Sequence, residues 1–151
     1  MELVSHSAGG SYWGILRSPL AEATVDDLDR YPWPDVGDPG FYAGLREDAQ
    51  VLSENSDYAI EANGGFYSFW ELGFALSGFE KLLLDLVLDE EFAIALMEKL
   101  LEIKLKGTKL FLNAIGKFIN VYRVGDDPAT QNGMLMPPKT YRKILVSVQV
   151  V

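Results

Sequence analysis

The chain has 151 residues, 48% of them hydrophobic, a formal net charge of −9 and no cysteine. That is one domain's worth of polypeptide with enough apolar material for a core. The lack of cysteine excludes disulfides and thiolate chemistry within it, and a surface of this sign repels nucleic-acid phosphates and anionic lipid.

No apolar run approaches the ~18 residues that a membrane span needs. The N-terminus lacks a basic region leading into an apolar one. A cytoplasmic protein with neither nucleic-acid nor membrane partners is therefore expected. His6 is the only histidine, and its Ser/Gly-rich terminal setting assigns it to solvent rather than catalysis. Residues 12–16 read as a short strand that Pro19 stops. Thr24 reads as the N-cap of a helical turn with Asp26 and Asp27 in its first turn. Pro32, Pro34 and Pro39 then impose a rigid, extended course. Tyr31 and Trp33 between them suit packing onto a neighbouring surface better than a polyproline ligand.

Tyr42, Leu45, Ala49 and Leu52 lie on one helical face, which predicts a helix over 41–53. Residues 58–62 read as a buried strand ending in Asn63, Gly64 and Gly65. Residues 66–76 form a helix that is apolar nearly all round, with Glu71 its one charge. Such a charge needs a partner or a ligand, unless it points to solvent. Ser77 and Gly78 break that helix, and 79–88 make another with Leu82, Leu83, Leu86 and Val87 inward. Asp89, Glu90 and Glu91 open the longest helix, which runs to about residue 115 and complements its dipole with lysines near the far end. Its stripe of Ala93, Leu96, Met97, Leu100, Leu101, Ile103 and Leu110 is core rather than a cofactor box. Gly116 is placed as the C′ residue.

Residues 118–124 read as a second strand that delivers Asp126 and Asp127 into a polar loop running from Gly125 to Gly133. Residues 140–145 begin one more helix, and 146–151 turn into a β-branched run. Strand, polar loop and helix recur, which argues for parallel α/β architecture. In such scaffolds the loops at the carboxyl ends of strands carry chemistry. Asp126 and Asp127 are thus candidate catalytic groups, and Asn63, Gly65 and Glu71 candidate ligand-binding groups. Asp, Asn, Pro and Gly also serve ordinary turns, and the spacing alone leaves both roles open.

Several segments in order, Tyr12-Trp13-Gly14, Tyr31-Pro32-Trp33-Pro34-Asp35, Asn63-Gly64-Gly65, Ser77-Gly78-Phe79-Glu80, Gly125-Asp126-Asp127 and Gln131-Asn132-Gly133, resemble the uroporphyrinogen decarboxylase superfamily. That superfamily includes the decarboxylases of haem biosynthesis and cobalamin- or coenzyme-M-dependent methyltransferases, and the Pro-rich segment and double Asp look more like the methyltransferase branch. The resemblance implies a (β/α)₈ TIM barrel of roughly twice this length, so a partial barrel with parallel strands and long helices is expected. Residues 1–40 would be an extended segment packing on the barrel, 41–145 the partial barrel, and 146–151 an aberrant tail of a truncated or frameshifted frame.

It further implies that Gln131 joins Asn63, Gly65 and Glu71 in binding substrate. The parent activity would be methyl transfer from a cobalamin or a small methyl donor. Decarboxylation of a tetrapyrrole in haem biosynthesis is the alternative, and a non-catalytic, self-associating remnant the third. Zinc and cobalamin would belong to full-length methyltransferase relatives. With no cysteine and one histidine, no metal or cofactor is expected within this chain, and the chain alone is expected to be inactive.

Overall fold

The computed structural model describes the backbone of residues 2–7, 11–64 and 68–146 and the side chains of 15–64 and 68–144. Gly65 and the stretch 147–151 lie outside the described residues. Strands β1 (Glu2–Ser7) and β2 (Ser11–Arg17) form an antiparallel pair, where a single strand over 12–16 was expected. Helix α1 (Val25–Arg30) follows. At its start the Thr24 N–H and hydroxyl both donate to the Asp27 carboxylate, at 2.9 and 2.8 Å. The Pro-rich segment has no regular element before a 3₁₀ turn at Pro39–Tyr42. The Trp33 indole N–H donates to the Leu28 carbonyl at 2.7 Å, and Tyr31 packs edge-on against the Trp33 ring.

Helix α2 spans Leu45–Glu54, and β3 is only Glu61–Asn63. Helices α3 (Phe69–Ser77), α4 (Phe79–Leu88) and α5 (Glu90–Ile115) then run almost without linkers. Gly78 makes the α3–α4 corner at φ 97°, a conformation that side chains with a Cβ resist. A 3₁₀ turn (Gly116–Phe118) leads to β4 (Val121–Arg123), then β5 (Ala129–Thr130) and β6 (Gly133–Met134). Helix α6 (Pro138–Tyr141) runs on into a π turn at Arg142–Val146. Gly116 has φ −55° and continues the helical course, so it is not the left-handed C′ residue that was expected.

The first half of α5 is the centre of the core. Phe92, Ala93, Leu96, Met97 and Leu100 are buried against Phe69 and Trp70 of α3, Leu82 and Leu86 of α4 and Leu28 of α1. On α4 the expected inward face is only partly right, because Val87 is 68% exposed. Asp85 is buried instead, in an ion pair with Lys81, whose ammonium also lies 3.9 Å from the Phe92 ring centre. No helix of the described residues is long and apolar enough to cross a membrane.

The expected partial TIM barrel is not formed. Strands β3 and β4 do pair in parallel, Glu61 with Val121, Ala62 with Tyr122 and Asn63 with Arg123. But they constitute the whole sheet; each sheet among the described residues has two strands, and the helices pack on one another instead of ringing a closed cylinder. The shortening has a local cause. Residues 58–62 were read as a buried strand, yet Ile60 is their one β-branched residue, and Tyr58 is 86% exposed. Polar Asn120 interrupts the second run, and its side chain accepts the Ile60 N–H at 2.9 Å. The first run therefore offers little strand propensity, while the second, with Ile119, Val121 and Val124, has strand formers but a polar Asn120 at its start.

Candidate functional site

The parallel register decides the local geometry. Because β3 and β4 run the same way, the Asn63–Gly64 loop and the Gly125–Asp126–Asp127 loop leave the same end of the pair. The Gly64 N–H extends the ladder by donating to the Arg123 carbonyl at 3.0 Å. Period-two alternation then sorts the side chains. Ala62 and Tyr122 turn towards α5, while Glu61, Asn63, Val121 and Arg123 lie on the exposed face. There the Arg123 guanidinium meets the Glu61 carboxylate at 2.7 Å.

Tyr122 is the pivot on the α5 side. Its hydroxyl lies 3.3 Å from the Thr108 hydroxyl, and its ring packs against Phe111. A Cβ on Gly64 would sit 2.5 Å from the same hydroxyl, so only glycine lets the loop pass this close. Two open grooves flank the ring. One, of about 350 Å³, is lined by Val36, Tyr42, Asn63, Gly64, Phe111 and Tyr122. The other, of about 490 Å³, is lined by Phe69, Leu101, Leu105, Val124, Gly125 and Asp126. Lys104, Thr108 and Tyr122 border both. Both fall within the ~300–1,000 Å³ of small-molecule sites.

The candidate residues divide by role. Asp126 is engaged structurally. One of its carboxylate oxygens accepts the Ser68 hydroxyl at 2.5 Å, and both approach the Trp70 N–H, at 3.1 and 3.0 Å. It therefore caps the start of α3 from 56 residues away, where partial positive charge favours an anion. Glu71 acts at the same helix end. Its carboxylate accepts the Ser68 N–H and hydroxyl at 3.0 and 2.9 Å, while the Glu71 N–H points at the Ser68 hydroxyl oxygen at 3.4 Å, a capping box. The charge in the apolar helix thus has a backbone partner, and it borders a third groove on the far side of α3, with Phe74 and Arg17.

Asn63 lies at the first groove. Asp127 is exposed, and its carboxylate has no partner among the described residues; its N–H donates to Asp126 at 3.1 Å. Gln131 and Asn132 sit at the tip of the tight β5–β6 hairpin, which the Thr130 hydroxyl closes by donating to the Gly133 carbonyl at 3.2 Å. Neither Asp127 nor Gln131 lines either groove, so the structure does not bring all of the candidates into one cavity. Sequence reasoning missed Tyr122, Lys104 and Thr108. The first was legible as the middle residue of an alternating run, and the other two as polar positions at helical spacing between Leu101, Leu105 and Phe111.

Near the first groove Asp35 accepts the Gly37 N–H at 2.9 Å and the Lys106 ammonium at 3.2 Å, contacts that hold its carboxyl below the usual range. They pin the Pro-rich segment to α5. No group of three or more His, Cys, Asp or Glu that would hold a metal ion occurs among the described residues. This donor set does not fit the zinc centre that the resemblance implies. No family model matches the sequence, and no curated protein or solved structure matches it.

Proposed function

We propose that the chain supplies a small-molecule-binding wall in a protein of the uroporphyrinogen decarboxylase-like kind, with methyl transfer from a small methyl donor as the parent activity. The observation that carries this reading is the parallel, in-register β3–β4 pair, whose two polar loops open at one end beside grooves of ligand size. The order of motifs from the Tyr-Pro-Trp-Pro segment to the double Asp supports the methyltransferase branch.

In this role the chain's own residues bind and orient. Asp126 is committed to holding the second loop against α3, and Asp127, the next residue of that loop, is exposed with a carboxylate that has no partner among the described residues. Preorganised groups of this sort act by holding charge and dipoles in place. The test is amide chemical-shift mapping on the whole chain with the neutral methyl donor dimethyl sulfide as the probe. Saturable shifts confined to Asn63, Gly64, Tyr122 and Gly125 are expected. Absence of saturable shifts there would refute the reading. Asp127→Ala is expected to weaken binding several-fold without a change in melting temperature, and unchanged binding would remove Asp127 from the site.

The open strand pair favours a second reading, a non-catalytic chain that self-associates. A parallel sheet is normally covered on both faces, whereas Glu61, Asn63, Val121 and Arg123 are exposed. Light scattering coupled to size exclusion distinguishes the two, since this reading requires an oligomer that Val121→Lys dissociates.

A further inference from the structure

The 490 Å³ groove carries a feature that methyl-donor binding alone does not require. Leu101, Lys104, Leu105 and Thr108 are spaced i, i+3, i+4 and i+7, so they share one face of α5, the face that borders Tyr122 and Val124. At this position a helix facing a sheet is ordinarily apolar. Here Lys104 stands between Leu101 and Leu105 along that face, with Leu105 45% exposed. The other α5 lysines with assigned partners are neutralised by carboxylates: Lys99 by Glu102 at 2.8 Å and Lys106 by Asp35 at 3.2 Å. Lys104 is half-buried and has no acidic partner among the described residues. The one carboxylate that borders the groove, Asp126, is occupied by Ser68 and Trp70.

A cation set in an apolar wall, in a chain with net charge −9, is complemented by a ligand that brings both an anion and an apolar body. We propose that this groove binds a small amphipathic carboxylate. Its acid group pairs with Lys104 and accepts from the Thr108 or Tyr122 hydroxyl, and its apolar part lies against Phe69, Leu101, Leu105 and Val124. This rests on the reading that the β3–β4 end binds a small molecule, and it specifies that molecule's charge. A charge-assisted hydrogen bond is about twice as strong as a neutral one, which makes the charge a selector as well as an anchor.

The test is calorimetric titration of the full chain at low salt with 4-phenylbutyrate and with its neutral amide. The acid should bind roughly tenfold more tightly, the preference that one charged hydrogen bond supplies. Lys104→Met, which keeps the apolar stem, should erase that preference, and Lys104→Arg should retain it. Lys109→Met, a change at an exposed lysine of the same helix, should leave both affinities unchanged. Equal affinity for acid and amide, or a preference that survives Lys104→Met, overturns the assignment of an anionic ligand while leaving a neutral-ligand pocket standing. Binding of neither probe overturns the pocket as well.

Discussion

Replacing Asp126 with alanine tests the geometry most directly, because it separates a structural carboxylate from a catalytic one. The side chain accepts from the Ser68 hydroxyl and the Trp70 N–H. Ser68 has a single hydroxyl proton and already shares it with Glu71 at 2.9 Å, so loss of Asp126 leaves that proton satisfied. What is lost is the acceptor for Trp70 N–H and the anion at the helix end. A hydrogen bond to a charged group contributes about 1.5–3 kcal/mol and a favourable dipole interaction about 0.3–1 kcal/mol. Asp126 is exposed, so solvent screening discounts both. About 1.5 kcal/mol remains, within the ~0.5–2 kcal/mol range for lost N-caps.

For a chain of this size that is a fall in melting temperature of roughly 3–6 °C. Thermal unfolding followed by circular dichroism reads it, and amide exchange at Trp70 localises it. Asp126→Asn keeps a neutral acceptor and should recover about half of the loss. A melting temperature within about 1 °C of the parent, with Trp70 protection unchanged, would refute the cap and return Asp126 to the list of free, reactive carboxylates.

Leu96→Ala, at a fully buried position on α5, should cost about 2–5 kcal/mol, measured by denaturant unfolding; a loss below about 1 kcal/mol would mean that α5 does not centre the core. Gly64→Ala places a methyl against the Tyr122 hydroxyl and should cost about 1–3 kcal/mol as an overpacked site, with displaced Tyr122 ring resonances as the spectroscopic mark. Asp27 is held below the usual carboxylate range, first by the Thr24 backbone N–H and then by the Thr24 hydroxyl. Its contribution is therefore present above the unfolded carboxylate value and lost as pH falls through the folded one. Carboxyl carbon titration by NMR should place Asp27 and Asp35 below ordinary aspartates; Thr24→Ala should raise Asp27 but not Asp35, and Lys106→Met should raise Asp35 but not Asp27.

Helix positions were the most legible part of this chain, because their signals are local. Residues 79–88 read as a helix and form one, and the Asp89 start of α5 follows from its acidic first turn and its side chain accepting the Phe92 N–H at 3.2 Å. The strands were overestimated because a short apolar run does not say whether a neighbouring strand exists to extend its ladder. The expected barrel failed at that point, and the β5–β6 hairpin was taken for an open loop. For the site, the Ser68-to-Glu71 spacing is a readable capping signature that accounts for Glu71 without a ligand. The Asp126 cap was not readable. It joins groups 56 and 58 residues apart, and no pattern along the chain encodes such a pairing. Lys104 was hidden for a related reason: its significance comes from the carboxylates that fail to reach it.

The long reach of Asp126 also bears on how the molecule comes into being. During synthesis the start of α3 leaves the ribosome while its distant cap is still untranslated. Until then Trp70 N–H has only water to bond, and the loop of residues 124–127 has no anchor. Final docking of α3 is thus a late, long-range closure, delayed until the last third of the chain has arrived. The same tether then makes the rim of the grooves report on the integrity of the helical core.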